Sequence, residues 1–479
     1  MGISARGRCR RAARARWLHG LLLLAPIGAR AAELPARLDA ALAAPALRGA
    51  RIAALVVDAE GATVYERTPD RALIPASNMK ILTALAALHV FGPTHRFATD
   101  LFSEGPPGAD GSVRTLWLRG SGDPSLTSED FWRLAADLRR EGVSRVEGDL
   151  VLDDSAFDGQ RWHPSWGRTG SRAYHAPVGA LTVNYGAFAV SVAPGAAPGD
   201  PLRAVVDPPL AHLPLTLRGS TGPARARTTL AIERVSSADA ERVVVSGVLP
   251  VGAEARTLQR SVLDPARYAG AALRAQLAAV GVEIAGETRV GYVPDSAVPL
   301  LVFDGPPMSE VVRLFMKYSN NQIGESLLKA LGARATGRPG SWPAGAAALR
   351  EQLSLLSLPI AGLVVVDGSG LSYENRVTPR LLVAALRAAA GAFAFGPEFE
   401  ASLPIAAADG TLEERAPGAP FRVRAKTGLL TRVTGLSGYA ERPGGERVVF
   451  SVLVNGFRDS AEAAMDALDR FAEALAAAP

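Results

Sequence analysis

The chain has 479 residues, 48% of them apolar and without a low-complexity tract, so it can bury a sizeable core and is expected to form more than one domain. Its formal charge of +5 invites a nucleic-acid reading, but residues 1–31 hold seven arginines and no acid, and beyond them 45 basic residues face 47 acidic ones. No nucleic-acid partner is implied.

Arg6, Arg8, Arg10, Arg11, Arg14 and Arg16 precede an apolar run from Leu18 that closes on Ala29-Arg30-Ala31. This pattern predicts a secretory signal over residues 1–31, cleaved after Ala31, because the run is shorter than the roughly 20 residues that span a bilayer and is broken by Pro26. An exported, periplasmic protein is expected, with at most peripheral membrane association. The single cysteine, Cys9, lies in that segment, so the mature chain has no disulfide, thiol nucleophile or cysteine metal site.

Of the 52 basic residues only Lys80, Lys317, Lys329 and Lys426 are lysine. A lysine kept against so strong an arginine bias is a candidate for work that guanidinium cannot do, since only an ammonium can lose its proton near neutrality. Lys80 ends Pro75-Ala76-Ser77-Asn78-Met79-Lys80, ahead of a run through Leu88 that is apolar nearly all round and predicts a buried helix. Serine at i and lysine at i+3 share one helix face, which places amine beside hydroxyl. The pair alone is a weak signal, since an N-cap serine with a solvated lysine has the same spelling.

Lys317 opens Lys317-Tyr318-Ser319-Asn320-Asn321 before a second helical run. A Ser-x-Asn is by itself usually a turn or cap. Lys329, inside that run, reads as an ordinary helical lysine. Lys426 lies in Val423-Arg424-Ala425-Lys426-Thr427-Gly428-Leu429-Leu430, followed by a strand through Tyr439, a Pro443-Gly444-Gly445 turn and an apolar strand over 448–454. On an edge strand, Lys426, Thr427 and Gly428 offer a cation, a hydroxyl and close backbone approach to a substrate.

Ser-x-x-Lys, Ser-x-Asn and Lys-Thr-Gly in this order form the joint signature of serine penicillin-binding proteins and serine β-lactamases. Ser319 lies 242 positions after Ser77, which leaves room for a large insertion. The chain resembles the class C low-molecular-mass penicillin-binding proteins, the D-alanyl-D-alanine carboxypeptidase and endopeptidase family (peptidase family S13). The likeness also includes Gly120-Ser121-Gly122-Asp123-Pro124, Asp153-Asp154-Ser155-Ala156-Phe157, Asp367-Gly368-Ser369-Gly370-Leu371-Ser372 and Asp409-Gly410-Thr411-Leu412.

The resemblance implies an α/β (α+β) transpeptidase-like fold whose antiparallel sheet, with strands near 52–57 and 63–67, is flanked by helices. It further implies a discontinuous catalytic domain (32–98 and 299–479), an inserted domain (99–168 and 265–298) and a smaller β-rich domain nested in it (169–264). It makes Ser77 the nucleophile and Lys80 its base, with a pKa that must drop by roughly three through burial and the charge of Lys426. Ser319 passes the proton to the leaving amine, Asn321 orients Lys80 and the substrate amide, and Lys426 with Thr427 holds the terminal carboxylate. The oxyanion faces the N–H groups of Ser77 and Leu429.

Two departures bear on specificity. Leu429 replaces the hydroxyl residue that often follows Lys-Thr-Gly, and Tyr373 stands where relatives often carry an arginine that reads the stem-peptide side chain. Arg376 is a candidate substitute, and Asp153 a candidate amine contact or merely a turn acid. The partners implied are peptidoglycan peptides ending in or cross-linked through D-alanine, and β-lactams as covalent inhibitors. No cofactor or metal is expected. Among rivals, a β-lactamase would need a Glu-x-x-Leu-Asn segment between Ser319 and Lys426, which is absent, and a catalytically silent wall-binding homologue is at odds with intact Ser77, Lys80, Ser319 and Lys426. A Ser-His-Asp hydrolase is disfavoured because the last histidine is His212 and no Gly-x-Ser-x-Gly occurs.

Overall fold

The computed structural model describes residues 33–236 and 241–478, and the expected export signal lies outside them. Helix α1 (Glu33–Leu42) precedes strands β1 (Arg51–Val57) and β2 (Thr63–Arg67), and helix α2 (Met79–Phe91) follows the Ser77 turn. After the long insertion come α3 (Met308–Lys317), α4 (Asn321–Thr336), α5 (Trp342–Leu355) and α6 (Pro379–Gly391). Strands β3 (Val423–Leu430), β4 (Val433–Glu441) and β5 (Arg447–Asn455) and helix α7 (Ala461–Ala477) close the chain.

The strands form one antiparallel sheet in the order β3-β4-β5-β1-β2, so two strands from before the insertion pair with three from the end of the chain. Strand periodicity explains how one run of sequence serves two cores. Ala53, Leu55 and Val57 of β1 pack with α2, α3, α4 and α6, while Ile52, Ala54 and Val56 pack with α1 and α7 on the opposite face. With both faces covered, β1 needs no polar alternation, and it has none. Helix α2 is buried from Met79 through Leu88, as its all-round apolar sequence predicts. Each of Ile81, Leu82, Leu85 and Leu88 contributes roughly 1.5–3 kcal/mol relative to exposure.

The insertion leaves through Arg96–Ser103 and returns through Val298–Pro307, which pair antiparallel at the edge of a second five-stranded sheet. The expected borders at 98/99 and 298/299 fall inside this strand pair, because composition shows no break where a ladder continues. Helices Ser128–Arg140 and Pro265–Ala279 pack on that sheet around Leu101, Leu118, Leu134 and Leu273. Three smaller sheets, including one of Arg256–Ser261, Ala187–Ala193 and Arg203–Asp207, lie between these helices in sequence. No helix among the described residues is long and apolar enough to cross a membrane.

Candidate active site

Ser77 sits in a single 3-10 turn, Ala76–Asn78, that leads directly into α2. The turn is tight: Ala76 has a φ of 47°, in the left-handed region that costs a residue with a Cβ of order 1 kcal/mol. It is held from both sides by glycines. A Cβ on Gly370 would run into the Ala76 carbonyl oxygen, and one on Gly428 would lie 2.5 Å from Asn78 Nδ2 and 2.8 Å from the Pro75 oxygen. Gly428 therefore serves the nucleophile turn. The expectation that it clears space for substrate is corrected, because its missing side chain faces Pro75 and Asn78.

The Lys80 amine lies 3.0 Å from Ser77 Oγ, 2.8 Å from Asn321 Oδ1 and 2.7 Å from the Ser369 carbonyl oxygen. Lys80 is wholly buried, and burial lowers its pKa to about 7. The carboxylates of Glu325 and Asp367 pull the other way without prevailing. The expected help from the charge of Lys426 is not what sets this value. Lys426, equally buried, is itself held well below the ordinary lysine range by burial and by the charge of Lys80.

Glu325 closes the base of the cleft. One turn after Asn321 on α4, it accepts hydrogen bonds from Trp342 Nε1 and from the N–H groups of Gly368 and Ser369. Burial and the neighbouring Asp367 push its pKa up to about 7. Asp367 in turn accepts from the N–H groups of Gly370 and Ser372, from Asn375 Nδ2 and from Trp166 Nε1. The loop that presents the Ser369 carbonyl to Lys80 is thus pinned by two buried carboxylates.

Ser319 and Asn321 occupy the junction of α3 and α4. Asn320 between them is the N-cap of α4, accepting from the Ile323 N–H, so the capping role falls on the middle residue. Ser319 takes a left-handed φ of 55°, and Asn321 Nδ2 donates to the carbonyl of Tyr174 in the insertion. On the opposite wall β3 is an edge strand. Thr427 Oγ1 lies 2.7 Å from Thr411 Oγ1, and the Asp409-Gly410-Thr411 segment is tied to α3 by Lys317, whose amine donates to Asp409 Oδ2 over 2.5 Å.

The cleft between these walls encloses about 760 Å³ and is lined by Ser77, Ser319, Asn321, Trp166, Tyr373 and Leu429 among others. A buried amine paired with a hydroxyl that opens onto the cleft suits nucleophilic attack on a carbonyl. Among the described residues no cluster of three or more His, Cys, Asp or Glu side chains is placed to hold a metal ion.

Residues 34–475 match the model of the D-Ala-D-Ala carboxypeptidase 3 (S13) family. The chain belongs to that family. It is 39% identical, over 90% of its own length and 82% of the other, to a D-alanyl-D-alanine carboxypeptidase of Actinomadura sp. (strain R39). It is 28% identical, over 80% of its length and 81% of the other, to the D-alanyl-D-alanine carboxypeptidase DacB of Haemophilus influenzae. The crystal structure of penicillin-binding protein 4 (dacB) from Haemophilus influenzae superposes with a TM-score of 0.77 at 25% identity, covering 93% of this chain and 98% of that one. The chain is a hydrolase, a D-Ala-D-Ala carboxypeptidase with the penicillin-binding protein 4 type of fold.

Three expectations about this S13 chain change. Asp153 is buried, and its two carboxylate oxygens accept the N–H groups of Ser155 and Val293, so it is a turn acid of the insertion and not a cleft residue. Arg376 donates to the carbonyls of Tyr373 and Asn375 in its own loop and does not line the cleft, so it does not replace the missing arginine. Lys329 is no ordinary helical lysine: wholly buried, it donates to Asp158 Oδ1 and the Gln160 carbonyl and lies 3.9 Å from the Trp342 ring centre, fastening the insertion to α4. Tyr373 does reach the cleft, where its hydroxyl accepts the Thr431 N–H at the end of β3. Glu325 was missed, although an acid in the apolar run after Asn321 was a signal that could have found it.

Proposed function

We propose that the chain is a serine DD-peptidase that acts through an acyl-enzyme on peptidoglycan stem peptides ending in D-Ala-D-Ala and on cross-links through D-alanine. The observation that carries this reading is the partner set of the Lys80 amine. A neutral amine has two N–H donors and one lone pair, and the Asn321 Oδ1 and Ser369 carbonyl oxygens can only accept. When the amine is protonated, its third N–H donates to Ser77 Oγ at 3.0 Å; when it is neutral and both N–H groups are so engaged, its lone pair faces that same oxygen and can take the hydroxyl proton. The base is then in the protonation state the reaction needs, near the pH at which it works.

In this scheme Ser77 Oγ attacks the carbonyl carbon of the penultimate D-alanine while its proton moves to Lys80. The N–H groups of Ser77 and Leu429 receive the oxyanion, and Lys426 with Thr427 holds the terminal carboxylate. Binding that carboxylate draws a proton onto Lys426, because an anion in contact offsets the burial that suppresses its charge. Ser319 relays the proton to the leaving amine, the C–N bond breaks, and water then opens the ester with Lys80 again as base. Asn321 holds Lys80 and the substrate amide in register.

The complex of the Haemophilus influenzae protein with a novel β-lactam, a fold match with a TM-score of 0.73, supports covalent capture of β-lactams by Ser77 here. An exported, periplasmic site of action is part of the same reading, as is a catalytic domain formed by two separated stretches of chain, with the strand pair Arg96–Ser103 and Val298–Pro307 opening an insertion that holds a smaller nested domain. The test is incubation of the mature protein with fluorescent penicillin and with a D-Ala-D-Ala pentapeptide. Wild type is expected to become labelled and to release D-alanine, and Ser77→Ala to do neither. Wild type that does neither sinks the reading.

A further inference from the structure

A second cavity, of about 530 Å³, lies against the catalytic cleft on the far side of Ser319. Tyr174, Ser319 and Asn321 line both. Its size is within the range of roughly 300–1,000 Å³ typical of ligand sites. One wall is the Tyr318–Asn321 junction. The other comes from the insertion, with Glu129 at the start of the helix Ser128–Arg140, Tyr185, Asp207 and Gln259.

That wall is built, not incidental. Asn184 and Tyr185 are consecutive residues with left-handed φ values of 51° and 57°, a conformation that persists only where surroundings impose it. The Asn184 side chain imposes it by bonding Ser128 and the Tyr268 hydroxyl, which leaves Tyr185 presented to the cavity. The lining includes, among the described residues, two carboxylates, Glu129 and Asp207, and no lysine or arginine. Among the described residues, neither carboxylate nor the Gln259 amide is engaged by another side chain. Acceptors and aromatic hydroxyls without a cation suit a peptide whose amides and amine donate, and they repel free carboxylates.

We propose that this cavity is the leaving-group site for cross-linked peptide, holding the second stem peptide of a cross-link in a form whose carboxylates are masked as amides. This rests on the peptidase reading above, in which the leaving amine is handed its proton at Ser319. D-alanine is small enough to leave within the catalytic cleft. A cross-link carries a whole second peptide beyond the same amine, and the chain past Ser319 enters this cavity. The bond broken is the same D-alanyl C–N bond, and the proton lost by Ser77 again ends on the freed amine.

The experiment compares a D-Ala-D-Ala pentapeptide with synthetic cross-linked peptide dimers, one amidated and one bearing free carboxylates. Gln259→Trp, which fills the cavity, is expected to lower kcat/KM on the amidated dimer about tenfold or more while leaving the pentapeptide within about twofold. The pair Glu129→Lys and Asp207→Lys is expected to shift preference toward the free-carboxylate dimer, a change that misfolding would not produce. Equal losses on pentapeptide and dimer, or an unaltered dimer rate in both variants, would overturn the proposal. Wild type that releases D-alanine from pentapeptide and leaves both dimers intact overturns this inference alone. Wild type that also fails to release D-alanine or take up penicillin overturns the reading beneath it.

Discussion

The base and the rim of the catalytic cleft are built by opposite rules. At the base Lys80, Asn321, Glu325 and Asp367 are tied into one network with the 367–372 loop, and Lys80 and Glu325 each have three partners. Around the rim Tyr174, Tyr373 and Leu429 are each roughly half exposed, and the Tyr373 hydroxyl is held by one backbone N–H. Removing one member of a buried network strands its partners at about 1–3 kcal/mol each, whereas a rim residue takes away only its own contact. The base therefore admits one arrangement, and the rim can change residue by residue. In the proposed reaction, chemistry falls to the base and choice of substrate to the rim.

Lys80→Arg tests the base most severely, because guanidinium stays protonated. It is expected to lower kcat/KM for D-alanine release by roughly a thousandfold. The wild-type rate carries the matching sign. Since burial depresses the Lys80 pKa to about 7 and the neutral amine is the proposed active form, kcat/KM should rise with pH through about 7. A profile flat across that region would show that Lys80 is not the titrating base.

Gly428→Ala attacks the same base through packing. Its Cβ meets Asn78 and the Pro75 carbonyl, and overpacking of this kind costs about 1–3 kcal/mol. The Tm should fall and penicillin acylation slow by about tenfold, and unaltered values of both would show slack in the turn. Thr411→Val probes the wall between base and rim. Loss of the partner of the Thr427 hydroxyl should raise KM for the pentapeptide about fivefold with kcat little changed, consistent with about 1 kcal/mol for one hydrogen bond. Tyr373→Phe, at the rim, should stay within about twofold on every kinetic parameter, since the hydrogen bond it removes is exposed. A loss as large as that of Gly428→Ala would place Tyr373 in the base and dissolve the distinction.

The rarity of lysine was a better signal than the sequence reading allowed. All four lysines are buried and each amine donates to a named acceptor, so the ordinary surface cations of this chain are arginines. The sequence neighbours of Lys329 are helical and apolar, which describes both a chance survivor and a buried tether. The residues that distinguish the two, Asp158 and Gln160, lie 171 and 169 positions away. Asp153 and Arg376 failed for the complementary reason. Their types suit a substrate contact, but backbone N–H groups occupy both oxygens of Asp153, and Arg376 is turned by Nη1 onto carbonyls of its own loop, away from the cleft lining.

Local spacing and burial pattern determined what depends on near neighbours: Ser77 and Lys80 on one helical turn, α2 as a core helix, β3 to β5 as a meander, and the motif set that marks the family. Only the tertiary structure decided that the Lys80 amine meets two pure acceptors, from residues 241 and 289 positions further along the chain. It also decided that the charges acting on Lys80 are acids that oppose its shift and are outweighed by burial. Hydrogen-bond partners and desolvation are properties of a place in the fold, and periodicity along the chain does not encode them.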